Sequence, residues 1–541
     1  MASKSFFERE LDQHLGTRGI FRDVNPPMAT LSKLIIALFV IFTVSDTERA
    51  GRIFGALQDW IQSNLGWYYI LSMCVFLFFV FWLIFSKYGA IPLGRDDEKP
   101  EFSYFSWFAM LFGAGMGIGL LFWSVSEPLY HLQSNPFMPE TDAGTMEGAR
   151  IAMQVTFLHW GLHGWAVYVI VALALAYFSY RKGLPLTIRA ALHPIFGDRI
   201  YGWIGHVADI LAIYGTVFGV ATTLGLGAGQ ISAGLNYLFG MPDTDISRTI
   251  IIIVVSIIAT ASAVSGVGRG IKILSELNLW LSIFLLAVFI MIGPTVFVLG
   301  FFVTAIGDYI IGFIPMGFWV DPDPEGQWQG WWTVFYWGWW IAWAPFVGMF
   351  IARVSRGRTI REFCLGVLIV PSLLTFFWMA VFGGTAIQQE LLGAGGLIEA
   401  VNADISKPLF VVIENLDVGF LGSIISFVAV ILIVTYFVTS SDSGTLVITT
   451  LISMGKEEPP ISYRIFWGLG EGLVAIVLLL AGGLKALQTG ALVAGLPFSI
   501  IMFMMMYGMV KSFSADPAVL LQEEEEEELE AQSLSADTRQ T

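Results

Sequence analysis

Residues 328–352 read WQGWWTVFYWGWWIAWAPFVGMFIA, with seven tryptophans between Trp328 and Trp343 and no charged side chain. A membrane-crossing helix needs about 20 apolar residues, and Trp ordinarily gathers at its two ends. Interfacial anchoring accounts for Trp328, Trp331 and Trp332. It does not account for Trp337, Trp339, Trp340 and Trp343, which lie well inside a run that stays apolar to about Ala352. A buried indole needs a partner for its N–H, so several crowded around Gly338 make poor lipid-facing filler. Many ring faces without a carboxylate suit an organic cation, because the negative face of the aromatic quadrupole attracts quaternary ammonium without a counter-ion. The competing explanation is aromatic packing between helices.

The rest of the chain places this stretch in a polytopic membrane protein. Its 541 residues are 56% hydrophobic and 13% charged, with mean hydropathy +0.72, outside the range of a soluble domain. Cys74 and Cys364 both lie in apolar runs, which excludes a disulfide framework. The net charge is −15, but eight acidic residues fall between Asp516 and Glu530, a pattern typical of a solvated tail. No nucleic-acid partner is implied, and residues 1–30 are too polar for a cleavable signal peptide. An enzyme would need a buried acid/base pair or ligand-spaced histidines, and a channel would need charged rings or a carbonyl filter; the sequence offers neither pattern.

Apolar runs of spanning length number twelve, near 31–46, 67–87, 103–126, 150–178, 205–236, 249–265, 277–303, 331–352, 363–385, 418–442, 464–481 and 487–510. Basic residues cluster in alternate loops, at Arg181, Lys182 and Arg189, at Arg269 and Lys272, at Arg353 to Arg361, and at Lys456 and Arg464. The positive-inside rule then puts both termini in the cytoplasm. The expected organisation is an N-terminal segment (1–30), two peripheral helices (31–102), a first repeat (103–303), a periplasmic connection (304–330), a second repeat (331–511) and an acidic, disordered tail (512–541). The runs at 150–178 and 205–236 exceed a straight span, so they are tilted, broken or extended beyond the bilayer.

Two stretches carry what an unwound helix needs. In the third run, Gly113-Ala114-Gly115-Met116-Gly117-Ile118-Gly119 holds four glycines, each costing a helix about 1 kcal/mol relative to Ala. In the eighth, Pro345 lacks an N–H and frees the carbonyl of Ile341. Their offset of five spans is that of two inverted five-helix repeats, spans 3–7 and 8–12, whose broken first helices face each other across a midplane site. Close helix packing is the other use of such glycines.

Three motifs now carry a resemblance: GAGMGIGLLFWSVSEPLYH at 113–131, HWGLHGWAVY at 159–168, and FYWGWWIAWAPFVGMFIARVSRGRTIREF at 335–363. Together they resemble the betaine/carnitine/choline transporter family over roughly residues 20–510. The resemblance implies an all-α integral membrane protein of twelve helices with a LeuT-type core. It implies transport of quaternary ammonium compounds across the cell (inner) membrane, no enzymatic activity, no cofactor beyond a coupling sodium ion, and a homotrimer.

Matching motif to motif, the resemblance points to a substrate box of Trp160, Trp165, Tyr168, Trp337, Trp340 and Trp343, with Trp339 and Phe346 on the access path or in packing. Helical geometry is compatible, since Trp160, Trp165 and Tyr168 fall within an arc of about 140°. Backbone N–H groups around Ala114, Gly115, Met116 and Gly117 would receive the substrate's carboxylate, helped by the helix N-terminus that follows. The runs at spans 3, 8 and 10 read as free of interior Asp or Glu, which favours sodium over a proton. Thr439 and Ser440, with carbonyls of Gly113 and Met116, match the family's sodium site, although such hydroxyls also bond their own helix. A second site would use Thr216, but Val220 stands where its partner hydroxyl belongs; Thr222 or Thr223 would have to compensate. Gly119 replaces the Asp of proton-coupled choline members, which favours a zwitterion such as glycine betaine. Dimethylsulfoniopropionate, ectoine, carnitine and choline remain alternatives, as do proton coupling and exchange. His159 and His163, one turn apart, read as helix-packing residues rather than a relay.

Overall fold

The computed structural model describes residues 13–115, 117–265, 272–323, 326–456, 458–521, 523–524 and 528–529. Its elements are helices joined by short loops. Local sequence starts several of them. Asn25 caps Pro26–Ser45 by accepting from the Met28 amide, with prolines in the first turn, where their missing N–H costs nothing. Asp46 caps Thr47–Phe85 in the same way, so the second helix begins some twenty residues before its apolar run. Thr359 and Glu362 form a reciprocal capping box at the start of Ile360–Leu392.

Among the described residues, eleven helices are long and apolar enough to cross a membrane. The third span escapes that length criterion because it is two pieces, Tyr104–Gly115 and Ile118–Gln133. The fourth is also broken, at Gly161, between Met146–Trp160 and Leu162–Ala176. The last helix, Ile461–Phe513, supplies the eleventh and twelfth spans across a kink at Gly482 and Gly483. Between them the fifth, sixth, eighth and tenth spans are Trp203–Phe239, Asp245–Ser265, Gly330–Val354 and Phe420–Ile452.

Two expectations need correction. The run at 277–303 is not one helix: Lys272–Ile292 ends at Gly293-Pro294, and a separate helix, Thr295–Gly317, occupies much of the expected connection. Pro294 has no N–H to continue the first helix and stands just before the second as its cap. Thr295–Gly317 packs against Met146–Trp160 and Ile360–Leu392, with Asp308 paired to Arg150 at 2.8 Å. Taken as the connector between the two halves, it leaves twelve crossings.

The second correction is that the eighth span does not unwind. Phe335–Val354 stays helical through Gly338 and Pro345, after a wider π-helical turn at Gly330–Val334. Gly338 serves packing instead. A methyl group there would come within 2.9 Å of Leu492 Cα, and one on Gly495 within 2.6 Å of the Gly338 carbonyl oxygen. Close backbone approach between the eighth and twelfth spans is what these glycines permit. The eighth span is the axis of the molecule: its most apolar stretch is 94% buried, against 28% for Lys272–Ile292 at the lipid-facing edge.

Candidate functional site

The break in the third span brings the expected elements together. Helix Tyr104–Gly115 ends and Ile118–Gln133 begins across Gly117, which is extended (φ −147°, ψ −167°). A methyl group on Gly117 would lie 3.5 Å from Trp343 Cη2 and 3.7 Å from Ser440 Oγ, so the third, eighth and tenth spans meet at this residue. One on Gly119 would collide with Trp339 Cη2 at 2.6 Å and press on Trp160 Cη2 at 3.2 Å. Gly113 lies exposed with open space around its Cα. Met116 and the side chains of Ala114 and Gly115 lie outside the described residues.

Trp160, Trp165, Tyr168 and Trp340 enclose one narrow cavity, completed by Leu120, Gly164 and Thr375. The rings stand edge to face: Trp160 to Trp340 at 5.1 Å between centroids, Tyr168 to Trp340 at 5.9 Å, Trp165 to Tyr168 at 5.5 Å. The space left is about 10 Å³, room for one water molecule, and the rings must part to admit anything larger. No charged side chain lines it. The Tyr168 hydroxyl is buried without a hydrogen-bond partner, whereas Trp340 Nε1 donates to the His159 carbonyl at 2.9 Å.

The other expected aromatics lie around this cavity rather than on it. Trp339 stacks on Trp340 at 5.6 Å. Trp343 meets Trp339 and Phe346 edge to face and reaches Gly117 from the side. Trp337 packs on the His163 and His159 rings. Thr375, on the ninth span, gave no signal in the sequence, since a lone Thr in a long apolar run is unremarkable; Leu120 and Gly164 were likewise hidden in their motifs.

The expectation of acid-free spans fails at Glu127 and Asp442. The apolar run stops at Ser126, but its helix continues to Gln133, and Glu127 is fully buried behind the rings. His159 Nδ1 approaches Glu127 Oε1 at 2.7 Å, while Trp160 Nε1 and Tyr336 Oη donate to Oε2 at 2.7 and 2.5 Å. Hydropathy ends a span at its first charge, and that rule hid a carboxylate satisfied by donors from other helices. Asp442, buried in the tenth span, accepts from Ser262 Oγ at 2.6 Å. His159 is satisfied at both ring nitrogens, the second by Thr333 Oγ1 at 3.0 Å.

Thr439 Oγ1 donates to its own helix, towards the Thr435 and Tyr436 carbonyls, and accepts from Asn278 Nδ2 at 2.9 Å. In the fifth span the Thr216, Thr222 and Thr223 hydroxyls all donate to carbonyls one turn back, and Thr222 also reaches Leu487 O. Val220 is buried, facing Gly444.

Known proteins share much of this chain's sequence. Residues 27–518 match the pattern described as BCCT, betaine/carnitine/choline family transporter. The chain belongs to that family. A protein of Desulfitobacterium hafniense named a probable glycine betaine transporter is 44% identical over 489 residues, 90% of this chain and 97% of its own. The glycine betaine transporter OpuD of Bacillus subtilis is 45% identical over 484 residues, 89% of this chain and 93% of its own. A glycine betaine/proline/choline transporter of Vibrio parahaemolyticus is 42% identical over 513 residues, 92% and 91% of the two chains. The family member described here is therefore a multi-pass membrane transporter and not an enzyme.

Proposed function

We propose that this family member is a secondary active symporter that imports a zwitterionic quaternary ammonium osmolyte of the glycine betaine type together with sodium. The observation that carries the reading is the uncharged cavity of Trp160, Trp165, Tyr168 and Trp340, set between breaks in the third and fourth spans. Ring faces hold the ammonium head, and the backbone around Ala114 to Gly117 receives the carboxylate. Trp337 and Trp343 support these rings from behind and beside. The names of the relatives favour glycine betaine over the alternatives of carnitine, ectoine, choline or dimethylsulfoniopropionate.

For sodium, Ser440 faces Gly117, and Thr439 Oγ1 keeps a lone pair beside the hydrogen bonds it makes. Carbonyls of Gly113 and Met116 would complete an oxygen site that holds the third and tenth spans together. Rocking of one helix group against the other would open the box to each side in turn. The basic loops favour cytoplasmic termini in a cell (inner) membrane, and the family resemblance favours a homotrimer. Uptake of a labelled substrate panel into proteoliposomes, with and without an inward sodium gradient, tests the reading. Glycine betaine accumulation that requires sodium is expected, and accumulation driven by a proton gradient in sodium-free buffer refutes the sodium assignment.

A further inference from the structure

A fully buried ionisable residue is costly, and an aromatic cation box has no need of one. Glu127 is such a residue. Its two carboxyl oxygens are coordinated by His159, Trp160 and Tyr336, from the fourth and eighth spans. Trp160 and Tyr336 donate to the carboxyl, and His159 adds a third donor in the tautomer whose Nε2 accepts from the Thr333 hydroxyl.

One turn along the same helix, His131 places Nε2 3.4 Å from Glu127 Oε1. Its ring is completely buried, yet neither nitrogen has a hydrogen-bond partner. A neutral imidazole in that position wastes both its donor and its acceptor, whereas an imidazolium would compensate the carboxylate beside it. Trp332, at 4.5 Å between centroids, and Trp328, at 5.3 Å, cover the ring and are themselves partly exposed, so His131 lies one aromatic layer from the surface.

Among the described residues, the groups around the pair are mostly neutral. The fourth span presents His159 and, beyond Trp337, His163 next to Cys74; the eighth presents Tyr336. The fifth span contributes the neutral Gln230, bonded to the Leu121 carbonyl. Beyond Tyr130, Asp404 is already paired with Arg248. Among the described residues, no Lys or Arg forms an ion pair with Glu127.

We propose that Glu127 and His131 form a proton-binding site, and that its occupancy tunes the aromatic box through the grip of Glu127 on Trp160 and Tyr336. Without the proton the cluster carries one negative charge behind the Trp160 ring; with it the cluster is neutral. A quaternary ammonium head is held better by the former, so substrate binding expels the proton and affinity falls as the pH is lowered. The same side chains could instead clasp a transition metal, since ligand atoms of Glu127, His131 and His159 lie within 4.8 Å of one another. The hydrogen bonds already closed on His159 favour the proton.

The inference rests on the box being the substrate site. Its test is calorimetry of glycine betaine binding to the full-length protein in nanodiscs, at several pH values and in buffers of different ionisation enthalpy. Wild type should release a fraction of a proton per substrate bound, and its affinity should fall about three- to tenfold between about pH 8 and pH 5.5. His131→Gln should bind with no proton released and a flat pH profile. Wild-type binding without proton exchange across that range would overturn the proposal, as would a linkage that persists in both His131→Gln and Glu127→Gln. Inhibition by micromolar Zn²⁺ that His131→Gln abolishes would make the cluster a metal site and also overturn it. The wild-type measurement decides alone if a variant fails to fold. Absence of binding at every pH would refute the betaine reading instead.

Discussion

At the scale of single residues, the ring of Trp340 meets Trp160, Tyr168 and Trp339. Trp340→Leu keeps apolar bulk but removes the quadrupole, which at a desolvated site should cost on the order of 1–2 kcal/mol, about five- to thirtyfold in substrate Kd. Titration calorimetry reads this directly, and a change within twofold would leave only helix packing as the role of the ring. Trp337→Phe should cost less, since Trp337 lies off the cavity. Gly119 offers a second check. Gly119→Ala drives a methyl group into Trp339 and Trp160, whereas Gly113→Ala meets nothing within 4 Å, so the first should weaken binding markedly more than the second. These residues stood out in the sequence because indoles well inside an apolar run, and four glycines within seven residues, need a reason. Glu127 was not legible, because burial of a carboxylate depends on donors 32 to 209 residues away.

At the scale of elements, the glycine-rich stretch and the proline-bearing stretch were read alike but behave differently. Four glycines in seven residues remove side chains from two opposite faces and lower helix propensity, and the third span breaks. In the eighth span, Pro345 removes one hydrogen bond while the surrounding residues are buried against neighbouring helices on every side, and that packing keeps the helix whole. Tertiary contacts of this kind outweigh propensity and cannot be counted from one segment. The tail start shows a comparable clamp. Asp516, just beyond the last span, is buried against Arg181, Lys182 and Tyr177 at 2.5, 3.0 and 2.9 Å. Burial raises its carboxyl, but the hydrogen bonds from Arg181, Lys182 and Tyr177 outweigh that and hold it down at about 2. A lowered carboxyl stabilises fully above its unfolded value of 3.8 and loses that contribution as the pH falls through about 2. Asp516→Asn should therefore cost on the order of 1–2 kcal/mol, equally at pH 5 and pH 8, as measured by thermal unfolding in detergent. A cost that changed between those two values would contradict the ion-pair geometry.

At the scale of the whole molecule, the proposed sodium coupling makes the number of ions depend on which oxygens the fold brings together. The third and tenth spans meet at Gly117 and Ser440, so an ion bound there would hold those two spans together. Thr439→Ala with Ser440→Ala should accordingly raise the sodium concentration needed for half-maximal uptake severalfold, with a smaller effect on substrate affinity at saturating sodium. The fifth span offers no such pair. Thr216, Thr222 and Thr223 donate to carbonyls of their own helix and keep their lone pairs, but Val220, standing where the family resemblance calls for the second hydroxyl, offers only a methyl group. On the proposed sodium coupling, a site that needs a hydroxyl pair one turn apart is incomplete there. Uptake in proteoliposomes should therefore rise with sodium at a Hill coefficient near one. Val220→Thr restores a hydroxyl one turn from Thr216, but its branch would meet Gly444, which already lies close to Val220 Cγ2. If that hydroxyl turns inward, the coefficient should rise towards two; a coefficient near two in the unmodified protein would show that oxygens from another span complete a second site.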